Sequence, residues 1–547
     1  MKKSTFMQGA IIATLAIVIS KILGIIYVIP FYSLIGEQGG ALYGYAYSIY
    51  GLFLNLSTAG IPLAISKITS EYSALNQNYL KEKSYRISKY LMCGLGLLGF
   101  IIIMLFAPNV ADIFIGDIKG GNTKEDVAFV IRVISTALLI VPILSVTRGY
   151  LQGHKFIAPP SISQVIEQFV RVIIIVIGSF LCLKVFNLSL TVTIGVAVFS
   201  ATVSAFVAYL YLKFKVRNNK KSLKDDSKET EEEKKVTTKD LTIRLLSYAI
   251  PFILIDFVSS LYSFVDLSTI NKTMVSLGYP ITEAESVISI LTTWGSKLNV
   301  IVMAVASGMI VSLIPNIASS FIVKNYEDVR NKINEALQSL IFVVLPMTVG
   351  LSLISKSIWT VFFGTSSSLG PLVFSYSIFT AFTLSIFNVT MSTMHSLGYS
   401  KTVILTLSAG LLTKVILNVP LIKLFNTIGL HPSYGVITST ILSNIVAILC
   451  NSLFLKKKLD IKYKETIKKV IRTLLPLSVM IIVIVILREF IPSTSSRILN
   501  LIYSFIYAIV GGITYFFISI KTNLLYDILG KDIIDKVLKK LKLKRID

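Results

Sequence analysis

The run LAIVISKILGIIYVIPFY places Lys21 about midway along an apolar stretch from Phe6 to Ile35. At 1.5 Å per residue its ammonium is ~20 Å from either end of a helical span, too far to reach water by snorkelling. The charge must therefore meet a partner, a wet cavity or an anionic ligand. Other ionisable residues share this setting: Glu167 and Arg171 in one apolar run, Asp256 and Asp266 in another, Lys297 in a third and Lys414 in a fourth. Each costs about 2.5–3.5 kcal/mol near mid-membrane, so together they are expected to line water or to neutralise one another. Glu167 and Arg171, four residues apart, can pair on one helix face. For Lys21 and Lys297 no partner is visible within their own helices, so substrate contact is the expectation, with a salt bridge to Asp256 or Asp266 as the alternative. An excess of cations selects an anionic substrate, as an acidic cavity would select a cationic one.

The elements that position these charges are membrane helices. A chain of 547 residues that is 54% hydrophobic and 15% charged, with mean hydropathy +0.76, is too apolar to fold with a polar shell. Runs of roughly 20 apolar residues recur, each long enough to cross a bilayer core as a helix. Fourteen are read, at 7–35, 44–66, 87–107, 127–147, 161–183, 190–212 and 245–268. The remainder lie at 288–316, 337–358, 370–395, 401–425, 431–455, 470–491 and 497–520. The expected fold is an all-α integral membrane protein: two pseudo-symmetric six-helix lobes around a central cavity, with two extra C-terminal helices.

Every second connection is rich in Lys and Arg, which predicts a multi-pass membrane protein with both termini facing the cytoplasm. The net charge of +24 then reflects loops facing anionic headgroups, and nucleic-acid binding is not expected. The basic segment 521–547 has apolar residues at near-helical spacing and is expected to lie along the inner surface. Three scattered cysteines and three distant histidines form no metal or disulfide pattern, and no catalytic constellation occurs. GLGLLG at 94–99 matches a dinucleotide-binding glycine pattern, but it lies inside an apolar span and is read as close helix packing.

The polar segment 213–244 divides the chain. Residues 1–212 are read as an N-terminal lobe, 245–458 as a C-terminal lobe and 459–520 as the added helices. The stretch from Ala59 resembles the one from Ser307, and the surroundings of Gly153 resemble those of Gly398, so spans 1–6 repeat as spans 7–12. Such repeats are typical of transporters with a midplane site between the lobes, and they set Arg171 and Lys414 at similar places. Gly24 and Pro30, then Gly60 and Pro62, are expected hinges.

SKILGIIYVIPFYSLIG followed by GALYGYAYSIYGLFLNLSTAGIPLAISKITSEY resembles the start of the polysaccharide transporter branch of the multidrug/oligosaccharidyl-lipid/polysaccharide exporter superfamily. The resemblance is to the stage V sporulation protein B group and, beyond it, to MurJ lipid II flippases. It implies an alternating-access flippase that moves an undecaprenyl-pyrophosphate-linked saccharide, such as a peptidoglycan precursor, to the outer leaflet. It further implies that Lys21, as the basic residue of an S-[RK]-x-x-G motif, meets the pyrophosphate, and that the last two spans hold the polyprenyl tail. Tyr27 stands where the lipid II flippases have a second arginine. The resemblance also implies a bacterial plasma membrane as the location, and the lipid-linked oligosaccharide, membrane lipids and cell-wall synthesis enzymes as partners, with no cofactor. Na⁺ or H⁺ coupling stays open, with Asp256 as its candidate residue. The competing reading is a drug or cation antiporter of the same superfamily, which would rely on membrane-embedded acids.

Overall fold

The computed structural model describes residues 6–58, 60–116, 118–219, 233 and 235–529. Residues 220–232 and 234 of the 213–244 segment, and the basic tail beyond Leu529, lie outside them. The described residues contain no strand, and the chain is an all-α membrane protein. Twelve helical stretches are long and apolar enough to cross a bilayer, and a bent pair at the N-terminus adds a further one.

The helices form two compact units, Met1–Thr293 and Trp294–Asp547. In the first, α1 (Phe6–Ile26) and α2 (Val28–Thr58) meet at Tyr27 with a 49° bend, between Gly24 and Pro30. Helix α2 is itself broken at Gly36, whose φ of 63° is non-helical. The first apolar run is thus two helical pieces rather than one, and the helix resumes directly after the Gly36 break, so that residues 37–43 between the first two apolar runs are helical. Helix α3 (Ile61–Ala74) starts at Gly60, φ 71°, with Pro62 in its first turn, where the missing N–H costs no hydrogen bond. A Cβ on Gly60 would sit 2.8 Å from the Ala249 carbonyl and 2.7 Å from Phe252 Cβ, so only glycine fits.

Helices α4 (Asn78–Phe114), α5 (Lys124–Ser135), α6 (Val141–Gly153), α7 (Ala158–Ile173) and α8 (Leu190–Asn218) follow. After them come α9 (Thr238–Ser276) and α10 (Ile281–Ser289), which also belong to this unit. Gly96, within the glycine pattern, packs against Leu138. Helix α9 packs on α2, α3 and α4. Arg244 fastens it by bonding Glu71 at 2.7 Å and the Tyr72 hydroxyl at 3.1 Å, and Lys67 lies 4.0 Å over the Tyr248 ring.

The second unit holds α11 (Gly295–Ile322), α12 (Tyr326–Leu353), α13 (Ser355–Phe363), α14 (Leu369–Ser396), α15 (Ser400–Thr427) and α16 (Ser433–Leu459). It ends with α17 (Lys464–Phe490), α18 (Arg497–Lys521) and the short α19 (Leu524–Leu529). A buried polar seam joins α14, α15 and α16: Ser439 donates to Asn418 at 2.6 Å, Thr406 to Asn451 at 2.6 Å, and Asn444 to Thr383 at 3.0 Å. Such bonds hold membrane helices together where lipid supplies no hydrophobic drive. The added pair packs on itself and, through α17, on α12. At its polar edge Arg472 pairs with Asp527 at 2.6 Å.

Candidate functional site

The charged centre of the first unit is an arginine–carboxylate–arginine triad. Glu167 sits on α7, where Pro159 and Pro160 open the helix. One of its oxygens accepts from Arg171 Nη2 at 2.5 Å and the other from Arg148 Nη2 at 2.8 Å. The side chains keep 15%, 22% and 14% of their exposure respectively, so the cluster is enclosed but still reachable. Arg148 also donates through Nε to Ser163 at 2.8 Å, and Arg171 through Nε to Ser204 of α8 at 3.4 Å. One carboxylate cannot neutralise two guanidiniums, so the triad carries a net positive charge and spare donors, the arrangement that suits a phosphate.

Local sequence explains why Arg148 is there. It stands on α6 beside Gly149, where a Cβ would be 2.4 Å from the Pro62 carbonyl. The bare glycine brings α6 and α3 into backbone contact. Sequence reading left Arg148 among the basic connections; it is instead a helical residue bound to the predicted Glu167–Arg171 pair. Proximity to Glu167 across 19 residues and two helices leaves no periodic signal.

Lys21 lies on α1, which packs along α7. A Cβ on Gly24, one turn on, would come 3.4 Å from the side-chain nitrogen of Gln168, the neighbour of Glu167. Lys21 is half-buried and, among the described residues, makes no hydrogen bond or ion pair. Helix α2 contributes tyrosines that sequence reading did not single out: Tyr43, Tyr47 and Tyr50 lie near enough to Arg171 to interact with its charge. Tyr43 stacks on Tyr47 with ring centroids 4.4 Å apart, and Phe31 meets Tyr43 edge-on at 5.3 Å. Aromatic rings beside cations provide both an apolar wall and hydroxyl donors.

The remaining candidates fall elsewhere. Lys414 on α15 is fully buried in the second unit and donates to Thr440 Oγ1 of α16 at 2.5 Å. Lys297 is half-buried on α11, and Asp266 half-buried on α9. Asp256 on α9 is exposed and, among the described residues, forms no ion pair. Sequence reading also passed over Glu285 of α10, a fully buried carboxylate that accepts from the Asn122 backbone N–H at 3.0 and 3.2 Å. Nearby, Asn271 donates to the Tyr45 hydroxyl at 2.6 Å. Among the described residues no group of three or more His, Cys, Asp or Glu could hold a metal ion.

The second unit contains an apolar cavity of about 340 Å³ between α11, α12, α17 and α18. Phe342, Pro346 and Met347 form one wall and Met480, Tyr507 and Gly512 the other. The Tyr515 hydroxyl is used internally, donating to the Phe342 carbonyl at 2.9 Å, so the lining stays apolar.

These features define a multi-pass, all-α membrane protein with a cationic polar centre in one unit and an apolar cavity in the other. The profile of a family described as Polysaccharide biosynthesis protein matches residues 6–318, and the chain belongs to that family. It is 36% identical over 390 residues to the lipid II flippase MurJ of Bacillus subtilis (strain 168), spanning 71% of this chain and 72% of that one. It is 26% identical over 345 residues to stage V sporulation protein B of the same organism, 62% of this chain and 63% of the other. Among solved structures, an inward closed conformation of lipid II flippase MurJ superposes with TM-score 0.67 at 19% identity, covering 95% of this chain and all of that one. An inward-facing multidrug MATE transporter of the MOP superfamily superposes with TM-score 0.64 at 14% identity, covering 82% and 99%. At those identities the superpositions speak for the fold.

Proposed function

We propose that the protein is a flippase that moves an undecaprenyl-pyrophosphate-linked saccharide, lipid II or a related cell-wall lipid intermediate, from the inner to the outer leaflet by alternating access. The reading rests chiefly on one observation: Arg148 and Arg171 share the single carboxylate of Glu167, on a helix flanked by the one that carries Lys21. A pyrophosphate requires several cations in an apolar setting, and this cluster offers them with donors to spare. The tyrosines of α2 supply hydroxyls for the sugar, and the apolar cavity beside α17 and α18 suits the polyprenyl tail. Lys297 and Lys414 take part as further headgroup contacts in states where their helices separate. The bend at Tyr27 and the break at Gly60 serve as hinges, with both termini cytoplasmic and cell-wall synthesis enzymes as consumers of the product.

The test is leaflet accessibility of lipid II in proteoliposomes. Wild-type protein should expose lipid II to an external probe, and Lys21→Ala should abolish this while remaining inserted and folded. Wild-type rates in the variant would refute the role of Lys21, and no lipid II movement by folded wild type under imposed voltage and ion gradients would exclude lipid II and leave another glycan lipid or the drug-antiporter reading.

A further inference from the structure

The first unit holds another cationic pocket, which the transport reading does not use. Arg86 and Lys89 of α4 line it together with Tyr85, Tyr90 and Cys93, and Ile143 of α6 closes one side, enclosing about 310 Å³. Glu82 also reaches it, but its carboxylate stands 3.8 Å from an Arg86 guanidinium that is 67% exposed, so most of the arginine's donors stay available. Two cations against one acid leave the pocket positive. Its wall is built: Tyr85 stacks on Tyr150 with centroids 4.0 Å apart, and the Tyr85 hydroxyl bonds Thr147 Oγ1 at 3.2 Å. Lys89 Nζ sits 5.9 Å from the Tyr209 ring on α8, which sets a rim aromatic beside the charge.

One turn further along α4 the surface changes character. Leu97, Leu98, Ile101 and Leu105 are all exposed, at helical spacing from Tyr90 and Cys93. Cations and tyrosines giving way to an exposed leucine track is the profile of a membrane interface. A ligand matching both parts carries a phosphate-type anion and hydrocarbon chains in one molecule. We propose that this pocket binds the phosphodiester headgroup of an anionic phospholipid, with its acyl chains lying along the Leu97–Leu105 face of α4. The lipid is a standing component of the protein's surroundings, and its binding does not depend on which lipid is transported.

Cys93 in the pocket provides the readout. The full-length protein is placed in nanodiscs of phosphatidylcholine, with or without phosphatidylglycerol, and Cys93 labelling by a neutral maleimide is followed by peptide mass spectrometry. Phosphatidylglycerol should slow labelling of the wild type, and Arg86→Gln with Lys89→Gln should remove that protection while the membrane charge stays the same. Each cation contributes about fivefold in affinity, so Arg86→Gln alone, at an exposed position, should show a partial loss if the double variant does not fold. Equal labelling in both membranes, or full protection in a folded variant, would overturn the proposal. Protection by soluble glycerol phosphate in phosphatidylcholine alone would show a free-phosphate site instead and overturn it equally.

Discussion

Glu167→Gln tests whether the triad is held together by its carboxylate. The substitution preserves shape but leaves two guanidiniums, now 14% and 22% exposed, facing a neutral amide. Breaking a buried pair by removing one partner costs about 3–5 kcal/mol, because the other charge is left uncompensated. Ser163 still satisfies part of Arg148, and residual exposure screens both arginines, so the lower end, ~3 kcal/mol, is expected. Cys182, buried in the segment that continues α7, reports the resulting opening. Its labelling under native conditions should accelerate roughly a hundredfold, since each 1.4 kcal/mol is a factor of ten. Cys450, partly buried on α16 in the other unit, serves as the reference. Adding Arg171→Gln should restore part of the loss, by about 0.5–3 kcal/mol, because it removes one of the stranded charges. Cys182 labelling unchanged in Glu167→Gln, or a double variant no slower than the single, would refute the idea that the carboxylate holds the two arginines.

Gly60→Ala should destabilise the first unit by about 1–3 kcal/mol, from its positive φ and from contact with Ala249 and Phe252, read as a lower yield of monodisperse protein and a lower unfolding midpoint. Gly512 lines the apolar cavity with open space where its Cβ would be, so Gly512→Phe should fold normally yet reduce lipid II movement about tenfold or more; unimpaired transport would remove the cavity from the tail path. Asp256→Asn should leave lipid II movement within about twofold if the exposed carboxylate carries no coupling ion, whereas loss of a Na⁺ or H⁺ dependence in the proteoliposome assay would assign it that role.

Hydropathy and charge alone determine that this chain is a many-helix membrane protein, because a bilayer admits only helices and closed barrels, and continuous apolar runs of about 20 residues fit the helix and not the short alternating barrel strand. The Glu167–Arg171 pair was equally legible, since both residues belong to one helix and its period brings them together. What the tertiary structure decided is whom the remaining charges meet. Arg148 resembles an ordinary loop cation until the bare backbone at Gly149 draws α6 against α3 and turns the arginine to Glu167. Lys414 has the same hydropathic setting as Lys21, yet one is enclosed against Thr440 and the other is half-buried without an ion pair among the described residues. Glu285 drew no notice at a polar span end, but the fold covers it completely and points the Asn122 N–H at its carboxylate. A membrane helix records in sequence how far its residues are from water along its axis. It does not record which side faces a neighbour, and that choice, made by close packing between helices far apart in the chain, separates an enclosed charge such as Lys414 from a half-buried one such as Lys21.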